Sequence, residues 1–285
     1  MMSTVKVLIL MAGLTGMIYG ICYILGIHPL LAIIFALVPN FISYFYSDKI
    51  VLMSYGAKTL NENEALELQR IVERISERAN IKKPKVAIIN NNTPNAFATG
   101  RSPKHGVVAV TTGLLNILNE QELEGVLAHE IGHIKHRDVL IGTIVATMAG
   151  AIVYIANILK WGMIFGYGRD DDANPLQIVA SLLFMILAPI SAMVIQFAIS
   201  RQNEYTADES GARYSNPIYL ANALTKLEKG VRHNPLKNGN PATAHMFIIN
   251  PFKSDNLMRL FSTHPSTEER VKRLMEMASN PKYLR

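Results

Sequence analysis

Four stretches of this chain, Val7–Leu25, Leu30–Tyr46, Val139–Leu159 and Leu176–Ser200, contain no Asp, Glu, Lys, Arg or His. Each is about 17–25 residues long, the length a helix needs to cross a bilayer. The overall apolar fraction, 49%, is ordinary for a globular protein, so the signal lies in the distribution and not in the total. Only Gly26–Pro29 separates the first two runs, which predicts a tight helical hairpin. A cleaved signal peptide is the competing reading of the first run. It is disfavoured because no small-residue cleavage site follows and a second apolar run begins almost at once.

Charge at the ends of the runs sets the expected orientation. Lys6, Lys49, Lys58, Lys135, Arg137, Arg201 and Arg213 cluster at one side, while the loop Lys160–Pro175 carries Asp170, Asp171 and Asp172. The positive-inside rule then places both termini and both polar blocks in the cytoplasm. The expected organisation is a transmembrane hairpin over 1–46, a discontinuous cytoplasmic domain over 47–138 and 200–285, and a second hairpin over 139–199. The net charge of +6 suits contact with anionic headgroups of the lipid bilayer, and no nucleic-acid module is visible. Cys22 is the single cysteine, which excludes an intrachain disulfide.

Within the first polar block stands His129-Glu130-Ile131-Gly132-His133, the H-E-x-x-H zinc-hydrolase pattern. On a helix the two imidazoles lie one turn apart on one face, within reach of one Zn²⁺. Glu130 is one step around the helix, placed to take a proton from a water at the open metal position. The lead-in Gln121–Ala128 has apolar residues at helical spacing, with Gly125 its one weak helix former. Catalytic zinc generally keeps three protein ligands. His136 shares the face of His129, but lies about 10 Å along the axis, too far for one ion. The metzincin extension fails because its last ligand position is Val139. The best remaining candidate is Glu204, with Asp208 one turn later: one carboxylate can ligate while the other orients a ligand imidazole. If the third and fourth runs form an antiparallel hairpin, the motif and Glu204 emerge at the same membrane face, and the metal lies near the bilayer surface.

The polar blocks carry further elements. Asn61–Asn80 has the periodicity of an amphipathic helix, and Lys85–Asn90 reads as a strand. Asn95–Gly100 and Gly106–Gly113 read as strand, loop and strand. Leu114–Leu118 and Ile218–Gly230 read as helices, and a last helix opens after Pro265 with Ser266 or Thr267 as its cap. The Asn95–Ala98 strand, if it is an exposed sheet edge, offers main-chain hydrogen bonds to an extended peptide.

These residues resemble the HtpX-type membrane metallopeptidases, relatives of the CAAX-prenyl proteases. The resemblance rests on Asn95-Ala-Phe-Ala98, His129–His133, Glu204-x-x-x-Asp208, Thr263-His264-Pro265-Ser266 and the pattern of apolar runs, and it covers essentially the whole chain. It implies one zinc ion per chain held by His129, His133 and Glu204, with Glu130 as catalytic base and Asp208 supporting a ligand. It implies His264 as a donor to the oxyanion or as a fourth ligand. It also implies a prokaryotic inner-membrane zinc endopeptidase acting on membrane proteins or unfolded polypeptides in quality control. The fold class expected is α+β: a mainly helical protein with four transmembrane helices and a cytoplasmic zincin-like domain containing a small β-sheet. Oligomeric state has no signature in the sequence. Two other classes compete. A metal transporter should carry ionisable groups within its spans, and these have none. A zinc-bound scaffold without proteolysis would not need Glu130.

Overall fold

The computed structural model describes residues 28–144, 201–236, 241–251 and 265–283, together with scattered positions between 5 and 23. In chain order its elements are α1 (Pro29–Ser54), β1 (Lys58–Thr59), α2 (Leu66–Ala79), β2 (Lys85–Ile89), β3 (Ala96–Thr99), β4 (Val107–Thr111), α3 (Thr112–Ile117), α4 (Glu120–His136), α5 (Arg201–Tyr214), α6 (Pro217–His233) and α7 (Thr267–Ala278). The fold is thus mainly helical around one small sheet. The strand order is β1-β2-β4-β3, with β2 and β4 parallel and both edge strands antiparallel to their neighbours.

The sheet is apolar on both faces because its strands alternate between two packing layers. Val86, Ala96, Ala98, Val108 and Val110 face the main core with α2, α4 and α6. Ala87, Ile89, Phe97, Val107 and Ala109 face a second cluster, closed by Val51 at the end of α1 and by Phe247. Helix α2 buries Leu68, Ile71, Val72, Ile75 and Ala79, one stripe at helical spacing. It begins five residues later than its periodicity suggests. The Glu64 carboxylate accepts the Asn61 N–H at 2.7 Å and the Lys58 ammonium at 2.6 Å, fixing a turn, and Ala65 then takes a left-handed φ of 50°. At α7, Ser266 is the cap, its hydroxyl accepting the Glu269 N–H.

Of the four expected spans, Leu30–Tyr46 lies within α1, where Leu30, Ile34, Leu37 and Phe41 are exposed. The other three fall outside the described residues, except for scattered positions of the first and residues 139–144 of the third. Among the described residues no helix is long and apolar enough to cross a membrane.

Candidate metal centre

Helix α4 is defined at both ends. Asn119 and Glu122 form a reciprocal capping box: the Asn119 side chain accepts the Glu122 N–H, and the Glu122 carboxylate accepts the Asn119 N–H. Arg137, at φ 64°, ends the helix one residue after His136. Between these stops, His129 and His133 stand one turn apart with ring centroids 4.8 Å from each other and planes at 90°. Helix α5 lies against α4 because small residues meet there. A Cβ on Gly132 would stand 2.7 Å from the Ser210 Cβ, and one on Gly211 would come within 3.5 Å of the His129 backbone nitrogen. This close approach turns Glu204, one turn before Asp208, onto both imidazoles.

Glu204 Oε1 is 3.5 Å from His133 Nε2, and its Oε2 is 3.8 Å from His129 Nε2. One ligand atom from each of the three residues lies within 4.8 Å of the others. Tetrahedral zinc with bonds near 2.0–2.1 Å separates its ligand atoms by about 3.3–3.4 Å, so small side-chain adjustments suffice to close the site on an ion. The charges fit as well. Glu130, Glu204 and Asp208 are buried carboxylates and Arg270 is a buried guanidinium, which leaves two negative charges for a divalent cation to neutralise.

The proton affinities follow the same environment. Burial pushes His129 down to about 4, which keeps the imidazole neutral, the form that binds a metal. Its Nδ1 is 3.0 Å from Asp208 Oδ1, so Nδ1 carries the proton and the Nε2 lone pair faces the centre. Although burial opposes it, the Arg270 guanidinium and the His129 imidazole hold the Asp208 carboxyl below its usual range. At His133 burial is overcome by Asp138, Glu204 and Glu130, and the imidazole is raised to about 9, the mark of a site that favours positive charge. Burial raises Glu130 to about 7, with the neighbouring Glu204 adding to the effect and His133, Arg270 and a backbone hydrogen bond from Ala98 opposing it.

The structure therefore gathers His129, Glu130, His133, Glu204 and Asp208 in one place, while His264 lies outside the described residues. His136 stands apart, half-buried, with its Nε2 3.0 Å from the Ser210 hydroxyl. The pocket beside the centre is walled by Ala98, Val139, Gly142, Thr143, Met246 and Ile248. The expectation of an exposed β3 edge needs correction, because all four β3 residues are buried. Phe247 bridges to Phe97, and the Ile248 N–H bonds to the Ala96 carbonyl at 3.0 Å, so a distant segment covers the Ala96–Phe97 half of that edge.

Two residues at the centre escaped the sequence reading. Asp138 stands 3.6 Å from His133 Nδ1. Arg270 is 1% exposed and grips Asp208 through Nε at 2.9 Å and through a terminal nitrogen at 2.7 Å. Its one signal in the sequence is its place on the α7 stripe shared with Leu274 and Met277, where a charged residue needs a buried partner.

Comparison with known proteins bears out the resemblance. The model of peptidase family M48 matches residues 62–278. The protein named protease HtpX homolog from Methanocaldococcus jannaschii is 59% identical over 278 residues, covering 97% of this chain and 98% of that one. Those from Pyrococcus furiosus and Thermodesulfovibrio yellowstonii are 56% and 53% identical, covering 95% and 97% of this chain and 94% and 99% of their own. The crystal structure of S. mikatae Ste24p is similar in fold, with a TM-score of 0.50 at 19% identity. The match covers 95% of this chain and 65% of that one.

Proposed function

The chain belongs to peptidase family M48, and from that premise we propose that His129, His133 and Glu204 hold its zinc while Glu130 is the base for peptide-bond hydrolysis. The observation that carries this reading is the convergence of two imidazoles and a carboxylate within 4.8 Å, beside a second buried carboxylate that no ligand role requires. Bound zinc supplies a Lewis acid that polarises the scissile carbonyl and lowers the pKa of water. The chain supplies the rest. Asp208 fixes the His129 tautomer from the Nδ1 side. Glu130 accepts the proton of the attacking water and returns it to the leaving amine, a role suited to a carboxylate that burial has raised toward neutrality.

The same reading places the enzyme in a prokaryotic plasma membrane. Four charge-free runs form two hairpins over 1–46 and 139–199, and the catalytic domain, 47–138 with 200–285, faces the cytoplasm. The supporting observation is the flanking charge: basic residues collect on one side of the runs, acidic ones in the loop at 160–175. A zinc centre six residues from a span suits substrates that leave the lipid there, namely misfolded membrane proteins and unfolded polypeptides.

The test uses the full chain purified in detergent with zinc. Cleavage of an unfolded polypeptide and of a misfolded membrane protein should stop on chelation and return with zinc. Glu130→Gln should keep its zinc and lose about 10²–10⁴-fold in rate. Cleavage by that variant at the wild-type rate overturns the assignment of the base, and zinc-bound protein with no proteolysis at all favours a scaffold.

A further inference from the structure

We infer that Arg270 is a positioning residue for the metal centre: its guanidinium locks Asp208, and through Asp208 the tautomer and orientation of His129. This inference rests on the ligand set proposed above. The guanidinium makes a two-point contact with the Asp208 carboxylate, Nε to Oδ2 at 2.9 Å and a terminal nitrogen to Oδ1 at 2.7 Å. Asp208 Oδ1 is in turn 3.0 Å from His129 Nδ1. The other terminal nitrogen donates to the Ile248 carbonyl at 2.9 Å, on the wall of the pocket. That same nitrogen stands 3.7 Å from Glu204 Oε2. Arg270 thus holds three elements against one another: the helix of His129, the helix of Glu204 and the segment that covers β3.

The chemistry of the pair explains why an arginine is needed. Asp208 must stay ionised to hold an imidazole N–H, yet it is 1% exposed. A buried carboxylate is stable only when paired, and a planar guanidinium pairs with both oxygens in one fixed plane. An ammonium is a point charge and fixes no plane. Helix α7 is itself pinned from the outside. Glu269 accepts the Tyr205 hydroxyl at 2.5 Å, and the Arg273 guanidinium lies 3.8 Å from the Tyr205 ring centre. These contacts tie α7 to α5 on both sides of Arg270.

Charge and position make opposite predictions, which renders the inference testable. If Arg270 acted only as a positive charge near the ion, its removal would tighten zinc binding and lysine would replace it. If it positions Asp208, its removal weakens zinc binding and lysine fails. The experiment measures zinc affinity by chelator competition, with circular dichroism as the check of folding, for the full chain in detergent. Arg270→Lys and Arg270→Met should each weaken zinc binding about 10–100-fold, the usual cost of losing a group that supports a ligand. Asp208→Asn should do the same, and adding Arg270→Met to it should cost nothing further, because the two act as one unit. The double variant removes both members of the ion pair together, so neither Asp208 nor Arg270 is left buried without its partner, and it reports even if the single variants fail to fold. Wild-type or tighter affinity in a folded Arg270 variant, or in the double variant, overturns the inference. His133→Ala separates the two levels: unchanged zinc affinity there refutes the ligand set itself, whatever Arg270 does.

Discussion

Gly125 and Gly132 stand seven residues apart on one face of α4, and both are there for closeness rather than flexibility. A Cβ on Gly125 would lie 2.7 Å from the Leu220 backbone nitrogen and 2.9 Å from its Cα, atoms that cannot rotate away. In sequence Gly125 is only a weak helix former, worth about 1 kcal/mol less than alanine in a helix. Gly125→Ala should nevertheless destabilise the protein, because an overpacked contact costs about 1–3 kcal/mol. A thermal melt of the detergent-solubilised chain checks this, and a raised midpoint would refute the packing argument. At this scale the sequence exposed the residues that follow a chemical spacing: His129, Glu130, His133, Glu204 and Asp208 all announce themselves by helical offsets. Arg270 did not. It sits among Glu268, Glu269, Lys272 and Arg273, and its place on the stripe with Leu274 and Met277 is the one local cue that sets it apart from a solvated charge. Its partner is 62 residues away, and only the packing of α7 on α5 joins them.

Strand β3 and the end of α1 show what remains hidden at the scale of elements. The strand itself was legible, since Ala96–Thr99 and Val107–Thr111 are apolar runs on either side of a glycine-bounded loop. Its covering was not, because Ala244–Ile249 has no strand periodicity and is ordered by contacts with distant residues. Asn95 holds it there, donating to the Ile249 carbonyl at 2.7 Å. On the opposite face, Tyr55 packs against Phe97 and Phe247 at centroid distances of 5.9 and 5.1 Å, and its hydroxyl bonds to that of Thr243. Burial raises the Tyr55 phenol from 10.0 to about 12, with the Thr243 hydrogen bond opposing the shift. The folded state therefore holds the proton more tightly than the unfolded chain. The stability this contributes is complete below about pH 10 and disappears as the pH rises through about 12. Tyr55→Phe should be less stable at pH 8 by about 1 kcal/mol, the worth of a hydrogen bond. Denaturant titrations should then show that difference shrinking and reversing across the alkaline window, because the loss that accompanies a rise from 10.0 to about 12 exceeds about 1 kcal/mol. Parallel loss of stability in both would show that Tyr55 does not titrate with unfolding.

At the scale of the molecule, the two polar blocks meet at the proposed metal centre. His129 and His133 belong to the block before the third apolar run, and Glu204, Asp208 and Arg270 to the block after the fourth. The sequence shows why a proposed ligand, Glu204, is 71 positions from His133, since an apolar pair of runs intervenes, but it does not show how the blocks fit. The fit comes from a shared core. Leu127 and Ile131 of α4, Ala212 of α5, Leu220 and Leu224 of α6 and Leu274 of α7 are buried in one cluster. On the proposed ligand set, zinc would bind at the seam only when both blocks are in place, so its binding energy would add to folding stability. At a free zinc concentration about a thousand times the dissociation constant, this linkage is worth about 4 kcal/mol. Chelation should therefore lower the thermal midpoint of the wild-type chain, and restoring zinc should raise it again. Glu130→Gln, which keeps all three ligands, should show the same shift. His133→Ala, with one ligand gone, should melt at the same temperature with and without chelator. A chelator shift that survives in His133→Ala would place the stabilising metal elsewhere in the chain. A wild-type midpoint indifferent to chelation would mean that the two blocks need no ion to stay together.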